Sequence, residues 1–296
     1  MPLALAIFVR IVANPLSNVF QKLLTTEGRS PAVVILATHT LLSVVCVPLL
    51  VVLPGPRSSQ FWLDISLCAA LAVAANTLLV AAVKLADLSV LGPINSYKAV
   101  VSLVPGIVLL GELPGPAALV GIVLIVCGSY GLSGPSAKAS RASGDRARPW
   151  FSLGVRYRIA ALVLSAVEAV FLKRALFAAE PTTTFAWWAV LGLAAAIPPA
   201  RLLRSPRSSD ATSTPITGRT IALGLALAVT TGLMQYSTLV TFGRLQVAGA
   251  LALFQTSSLV SVVLGHRVFR EPHVWRRLAA GGVMVAGAAL IIFAGA

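Results

Sequence analysis

Ionisable and amide side chains occur inside stretches of the sequence that are otherwise apolar. Lys98 lies in LGPINSYKAVVSLVPGIVLLGELPG, directly after Asn95, Ser96 and Tyr97, and Glu168 lies in VLSAVEAVFLKRAL. A cation and a carboxylate shielded from bulk water stabilise each other's charged forms. A ligand that carries either charge competes for one of the two partners. Residues of these types therefore indicate reversible binding of a substrate or a proton.

The two charged groups are predicted at the same depth in their segments. Each of Lys98 and Glu168 lies about ten residues from the same side, which at 1.5 Å per residue is roughly 15 Å. We therefore predict that they pair. The pair is interpreted either as a substrate or proton site or as a structural ion pair between two helices. A buried pair is weak evidence of net stability, because desolvation can exceed the attraction.

Further polar residues in apolar segments are candidate ligands of a substrate. Amides and hydroxyls there hydrogen-bond either a ligand or a neighbouring helix. A histidine in such a segment can titrate near neutral pH, or it can simply pack against its neighbours. The predicted substrate-binding residues are Asn14, His39, Asn95, Tyr97, Lys98, Glu168, Gln235 and Gln255.

The composition indicates whether the segments that carry these residues lie in water or in a lipid bilayer. Hydrophobic residues make up 57% of the chain and charged residues 11%, and the mean hydropathy is +0.91, more than a soluble core requires. A bilayer core of about 30 Å needs about 20 apolar residues per helix. The sequence predicts an all-α integral membrane protein with ten spans. They are Leu3–Leu24, Ala32–Leu53, Trp62–Val83, Ser89–Leu110, Ala117–Ser133, Ile159–Ala179, Thr183–Leu203, Thr220–Phe242, Val247–His266 and Val274–Ala294.

The positive charge is distributed among the loops. The net charge is +14, but the basic residues do not form one soluble face, so nucleic acid is not an expected partner. Most of them follow odd-numbered spans, and short cytoplasmic loops collect Lys and Arg. This pattern predicts a multi-pass protein of the inner (cytoplasmic) membrane with both termini outside.

The chain divides into two similar halves. A linker over 134–158, rich in Ser, Pro, Gly and Arg, separates a first five-helix repeat over 1–133 from a second over 159–296. Matched segments keep their order: Phe20 corresponds to Phe171, and Gly128 corresponds to Gly287. Five helices are an odd number, so the two copies must be inverted in the membrane. Inverted repeats are a common plan of secondary transporters.

The duplicated segments VFQKLL and VFLKRA, with the long matches around Glu112 and Glu271, resemble the drug/metabolite transporter superfamily, specifically its EamA-like ten-helix group. The resemblance implies a permease for small metabolites or amphipathic compounds that works by alternating access. Two features depart from many relatives. The second helix has ATHTLL where relatives carry an arginine, and the predicted termini are outside rather than cytoplasmic.

Other classes of function receive less support. The sequence has no motif for ATP, dinucleotide, metalloprotease or serine hydrolase chemistry, so we predict no enzyme, catalytic residue, metal or cofactor. The alternatives kept open are a flippase for lipid-linked sugars and a non-transporting membrane scaffold. The expected partners are a small-molecule substrate and membrane lipids, and the expected state is a monomer or homodimer.

Two further patterns concern helix ends and contacts. Glu112 and Glu271 each precede a fifth helix and are predicted to cap its positive N-terminal end. Gly282 and Ala286 are four residues apart, a spacing of small residues that allows close helix contact, either within the chain or between subunits.

Overall fold

In the computed structural model, every secondary-structure element of the described residues is an α-helix. The structure describes residues 1–85, 94, 97–132, 153–202, 216–257, 260 and 274–294. Ten helices and no strand occur in these ranges. They are α1 (Leu3–Thr26), α2 (Pro31–Val52), α3 (Ser59–Leu85), α4 (Lys98–Leu110), α5 (Pro116–Leu132), α6 (Leu153–Ala175), α7 (Pro181–Leu202), α8 (Gly218–Phe242), α9 (Val247–Gln255) and α10 (Val274–Ala294). The predicted all-α membrane fold is confirmed.

Several helices match the thickness of a bilayer. Helices α1, α2 and α8, with Ser59–Leu79 of α3 and Pro181–Arg201 of α7, are long and apolar enough to cross a membrane. A helix of 21 residues is about 30 Å long, which equals the hydrocarbon core. Helix α4 and parts of α5 and α10 are shorter apolar segments. The chain is therefore a multi-pass membrane protein.

Local sequence determines where several helices begin and end. The Ser30 hydroxyl accepts a hydrogen bond from Val33 N at 3.3 Å, and Pro31 occupies the first helical position of α2, where no amide hydrogen is required. Thr217 caps α8 in the same way through Thr220 N at 3.2 Å. Helix α4 ends at Leu110, and the C-cap residue Gly111 has a φ of 68°, a left-handed conformation that favours glycine.

The observed bounds differ from the predicted ones mainly at two places. Helix α6 begins at Leu153, inside the segment predicted as the linker, because the apolar pattern LGV continues through the basic residues that follow. Helix α4 begins at Lys98, whereas the predicted start of this span at Ser89 lies outside the described residues. The second half of the predicted ninth span, up to His266, also lies outside them.

The helices form two compact units, and each contains helices from both halves of the sequence. Unit 1 comprises Met1–Val73 and Phe171–Gly243, and unit 2 comprises Ala74–Val170 and Arg244–Ala296. In unit 1, α1 packs on α8, and α2 packs on α7 and α8. In unit 2, α4 packs on α9, and α5 packs on α10. The segments predicted as repeats therefore contribute to the same cores.

Helices α5 and α10 touch through their backbones. A Cβ atom on Gly121 would lie 2.6 Å from the Gly287 carbonyl oxygen, and one on Gly287 would lie 2.6 Å from that of Gly121. A Cβ atom on Gly128 would lie 2.8 Å from the Ala280 carbonyl oxygen. The helices thus run antiparallel. The sequence offset that pairs Gly128 with Gly287 in the two repeats also pairs Gly121 with Ala280. The Gly121–Gly287 contact is therefore the repeat counterpart of the Gly128–Ala280 contact.

This internal contact differs from the small-residue pair noted in the sequence. Gly282 has open space where a Cβ atom would be built, and both Gly282 and Ala286 are exposed. The close approach uses Ala280 and Gly287 instead, because these residues lie on the face of α10 that packs on α5.

Glu112 links the end of α4 to the start of α9. Its Oε2 accepts a hydrogen bond from Val247 N at 2.7 Å, and Gln246 Nε2 donates to Leu113 O at 3.1 Å. Glu112 thus caps α9, a helix of the other half, whereas the sequence predicted a cap on the fifth helix. The antiparallel packing of α4 on α9 accounts for the difference, since it brings the end of one helix beside the start of the other. Glu271 lies outside the described residues.

We expect Glu112→Ala to destabilise the protein by about 0.5–2 kcal/mol, because the first amide of α9 loses its acceptor and the helix dipole loses a favourable charge. Thermal unfolding of the purified protein in detergent measures the effect. Glu180→Ala is the matched control, since Glu180 is an exposed carboxylate before α7. Equal melting temperatures for the two variants would contradict the capping role.

Candidate functional site

A polar strip runs along the α1–α8 interface in unit 1. Ser17 Oγ and Thr231 Oγ1 share a hydrogen bond of 3.0 Å. One to two turns away, Arg10 Nε donates to Thr238 Oγ1 at 2.8 Å. A step of seven residues back along α1 is therefore matched by seven residues forward along α8. The two helices are antiparallel with one constant register.

The same register continues to the other end of α1, where the interface becomes apolar and then charged. Leu24, Val34 and Leu227 form a buried cluster, with Phe20 and Leu223 packed against it. Beyond this cluster, Thr220 Oγ1 donates to Glu27 Oε2 at 3.1 Å, and Arg219 Nε lies 3.3 Å from Glu27 Oε1. The polar strip is thus closed at this end by apolar side chains and an ion pair.

Two of the predicted site residues, Asn14 and Gln235, lie on this strip. Asn14 lies one turn from Arg10 on α1, and Gln235 lies one turn from both Thr231 and Thr238 on α8. The register therefore places Asn14 and Gln235 at the same level. Gln235 is 8% exposed, and its Nε2 is a buried donor without a hydrogen-bond acceptor among the described residues.

His39, a third predicted site residue in unit 1, packs tightly between α2 and α7. Its Nδ1 donates to Ala189 O at 3.3 Å, and its ring centroid lies 4.9 Å from that of Trp188. The imidazole covers Gly192, where a Cβ atom would overlap the ring. Ser43 Oγ also donates to Ala189 O, at 3.1 Å. These contacts correspond to the packing interpretation of His39.

Aromatic rings surround this part of unit 1. Phe185 lies 6.1 Å from Trp188 in a stacked arrangement and 5.9 Å from Tyr236 edge to face. Trp62 and Trp187 meet edge to face at 4.5 Å, and Trp187 Nε1 is a buried donor with no hydrogen-bond acceptor in the described residues. Helices α3, α7 and α8 thus contribute aromatic side chains with one buried donor, Trp187 Nε1.

An ion pair that the sequence analysis did not identify joins α3 to α6. Arg174 Nε lies 3.4 Å from Asp64 Oδ2, and the Asp64 side chain is 1% exposed. Gln60 Nε2 donates to Asp64 Oδ1 at 3.0 Å, and the Arg174 guanidinium lies 5.5 Å from the Phe171 ring centroid. The sequence feature that could have indicated this pair is an aspartate close to the start of one apolar segment and an arginine, Arg174, near the end of another.

The remaining described candidates lie in unit 2. Lys98 is the first residue of α4 and follows a turn in which Tyr97 N donates to Ile94 O at 3.2 Å. Tyr97 is exposed, whereas Lys98, Glu168 and Gln255 are half-buried. All four take part in hydrogen-bonding, ring or electrostatic contacts. The direct pairing of Lys98 with Glu168 stays a prediction.

Asn95, the last of the predicted site residues, lies outside the described residues. Of the other seven, Asn14, His39 and Gln235 belong to unit 1, and Tyr97, Lys98, Glu168 and Gln255 belong to unit 2. The structure brings Asn14 and Gln235 to one level of the α1–α8 interface.

The helices of the described residues, with their apolar spans, are those of a multi-pass all-α membrane protein. The model of the EamA-like transporter family matches residues 3–134. The predicted resemblance to the EamA-like group of the drug/metabolite transporter superfamily is therefore confirmed over these residues.

Known structures agree with this fold. A protein of known crystal structure is similar over 97% of this chain and 95% of its own, with a TM-score of 0.74. The sequence identity is 18%, so this likeness shows the fold alone. No curated protein matches the sequence significantly.

Proposed function

We propose that the protein is a secondary transporter that moves a small metabolite or amphipathic compound across the inner (cytoplasmic) membrane by alternating access. The observation that carries the proposal is the antiparallel packing of α5 on α10. In this packing the Gly121–Gly287 contact and the Gly128–Ala280 contact are counterparts of each other in the two repeats. Each of two inverted repeats can adopt the conformation of the other. A substrate site between them then opens first to one side of the membrane and then to the other.

The polar side chains inside the spans support a substrate path rather than a purely apolar scaffold. Arg10, Ser17 and Gln235 line one interface of unit 1, and Lys98 and Glu168 are half-buried in unit 2. Ionisable residues in membrane segments are costly and mark ligand or ion pathways by default. The partners we propose are a small-molecule substrate and membrane lipids, with the chain acting as a monomer or homodimer.

The test is uptake by vesicles that contain the purified protein. Vesicles with and without the protein are incubated in a defined metabolite mixture, and their contents are identified by mass spectrometry. The proposal requires at least one compound to enter only the protein-containing vesicles and to exchange with preloaded unlabelled compound. Movement of a fluorescent lipid-linked sugar alone would support the flippase, and absence of any movement would support the scaffold.

A further inference from the structure

We propose that Arg10 and Gln235 form an anion-binding site on the α1–α8 interface that recognises a carboxylate group of the transported compound. This inference rests on the proposed function and narrows its substrate class. Arg10 was not among the residues predicted from the sequence, and the constant register of α1 and α8 is what places it with Gln235.

Arg10 lies well inside a membrane span and is held in one orientation. It is the eighth residue of α1, about 10 Å from the start of the helix. Its Nε donates to Thr238 Oγ1 at 2.8 Å, and Thr238 Oγ1 donates to Met234 O at 2.7 Å. A guanidinium anchored through Nε directs its terminal edge, with the two Nη groups, away from the anchor. That edge matches the two oxygens of a carboxylate.

Gln235 supplies a second donor on the same strip. It lies one turn from Thr238 on the same face of α8, and its side chain is nine-tenths buried. Its Nε2 lacks a hydrogen-bond acceptor among the described residues. A buried donor without an acceptor is unfavourable, and such a group in a functional protein calls for an explanation. An acceptor group of a ligand would satisfy it.

The combination of groups determines the class of ligand. A cation and an amide donor both favour an anionic acceptor over a neutral or cationic compound. The planar fork of arginine matches the paired oxygens of a carboxylate, and it can also bind those of a phosphate, which the experiment includes as a competing outcome. Arg10 is half-buried and its Nη1 atom is buried, so a carboxylate bound at this edge would be shielded from bulk water.

The experiment measures binding to the purified full-length protein in detergent. The probes are short mono- and dicarboxylates, each compared with its neutral amide, and inorganic phosphate. We expect at least one carboxylate to raise the melting temperature while its amide does not. Arg10→Gln abolishes this response, and Gln235→Leu weakens the affinity roughly tenfold, as loss of one hydrogen bond to a charged group does.

Two further variants keep the test decisive. Arg201→Gln, an exposed arginine at the end of α7, makes the same charge change and retains the response. If Arg10→Gln does not fold, Thr238→Val removes the anchor without removing the charge and weakens carboxylate binding. The proposal is overturned if no carboxylate stabilises the wild type, if the amides act equally, if only phosphate binds, or if Arg10→Gln and Thr238→Val both respond like the wild type.

Failure of this inference is distinguishable from failure of the proposed function. Vesicles that transport a neutral compound equally well with wild type and Arg10→Gln would overturn the carboxylate site and leave the transporter intact. Vesicles that transport no compound at all would overturn the transporter itself.

Discussion

Lys98→Ala is expected to reduce transport in reconstituted vesicles to the level of protein-free vesicles, while folded protein remains in the membrane. Glu168→Gln is expected to do the same. Both residues are half-buried and make contacts with other groups. If each stabilises the charge of the other, a substrate carboxylate or amine that competes for one partner couples binding to movement. Asn14, Asn95, Tyr97 and Gln255 should give graded losses.

The measurement is initial uptake rate at equal amounts of folded protein. Arg57→Ala and Glu180→Gln are matched controls, because they make the same charge changes at exposed loop positions. A purely structural pair gives a different pattern: each single variant loses thermal stability, and the charge-swapped double variant recovers both folding and transport. Normal uptake by both single variants would exclude Lys98 and Glu168 from the site.

Gly121→Ala and Gly287→Ala are each expected to destabilise the protein by about 1–3 kcal/mol, the usual effect of adding a methyl group to a filled contact. The new Cβ atom would meet a backbone carbonyl oxygen at 2.6 Å. A backbone atom, unlike the end of a flexible side chain, cannot move aside cheaply. The two helices must therefore separate.

Gly282→Ala is the control for this prediction, and its expected sign is opposite. It has open space for a Cβ atom, and alanine favours a helix by up to about 1 kcal/mol over glycine. The melting temperatures of the three variants, measured in the same detergent, test this difference in stability. A Gly121→Ala variant as stable as Gly282→Ala would show that α5 and α10 do not touch at this point.

The sequence was sufficient to predict most of the described helices, because a bilayer imposes one length and one composition on each span. The predicted Val274–Ala294 agrees with α10, and Thr220–Phe242 differs from α8 by two residues at its start. The duplicated glycines also indicated equivalent fifth helices. What the bilayer cannot specify is the register of one helix against another, since every apolar face is equally compatible with lipid.

The contacts of the candidate site depend on that register. Arg10 was visible as a charge in an apolar segment, but its link to Thr238 requires α1 and α8 to be aligned across most of the chain. Glu112 was predicted to cap the helix that follows it in sequence, because nothing local indicates that α9 begins beside it. Asp64 pairs with Arg174 for the same non-local reason.

The assembly of each unit from both halves has a consequence for how the protein is made. Chains leave the ribosome from the N-terminus, so α1 is inserted into the membrane long before its partner α8, and α5 before its partner α10. Until then, the side of α1 that carries Arg10 and Ser17 faces lipid or a temporary neighbour. The polar side chains that are paired between α1 and α8 in the folded protein are therefore unfavourable during synthesis, and insertion factors that shelter α1 until α8 arrives would protect the nascent chain.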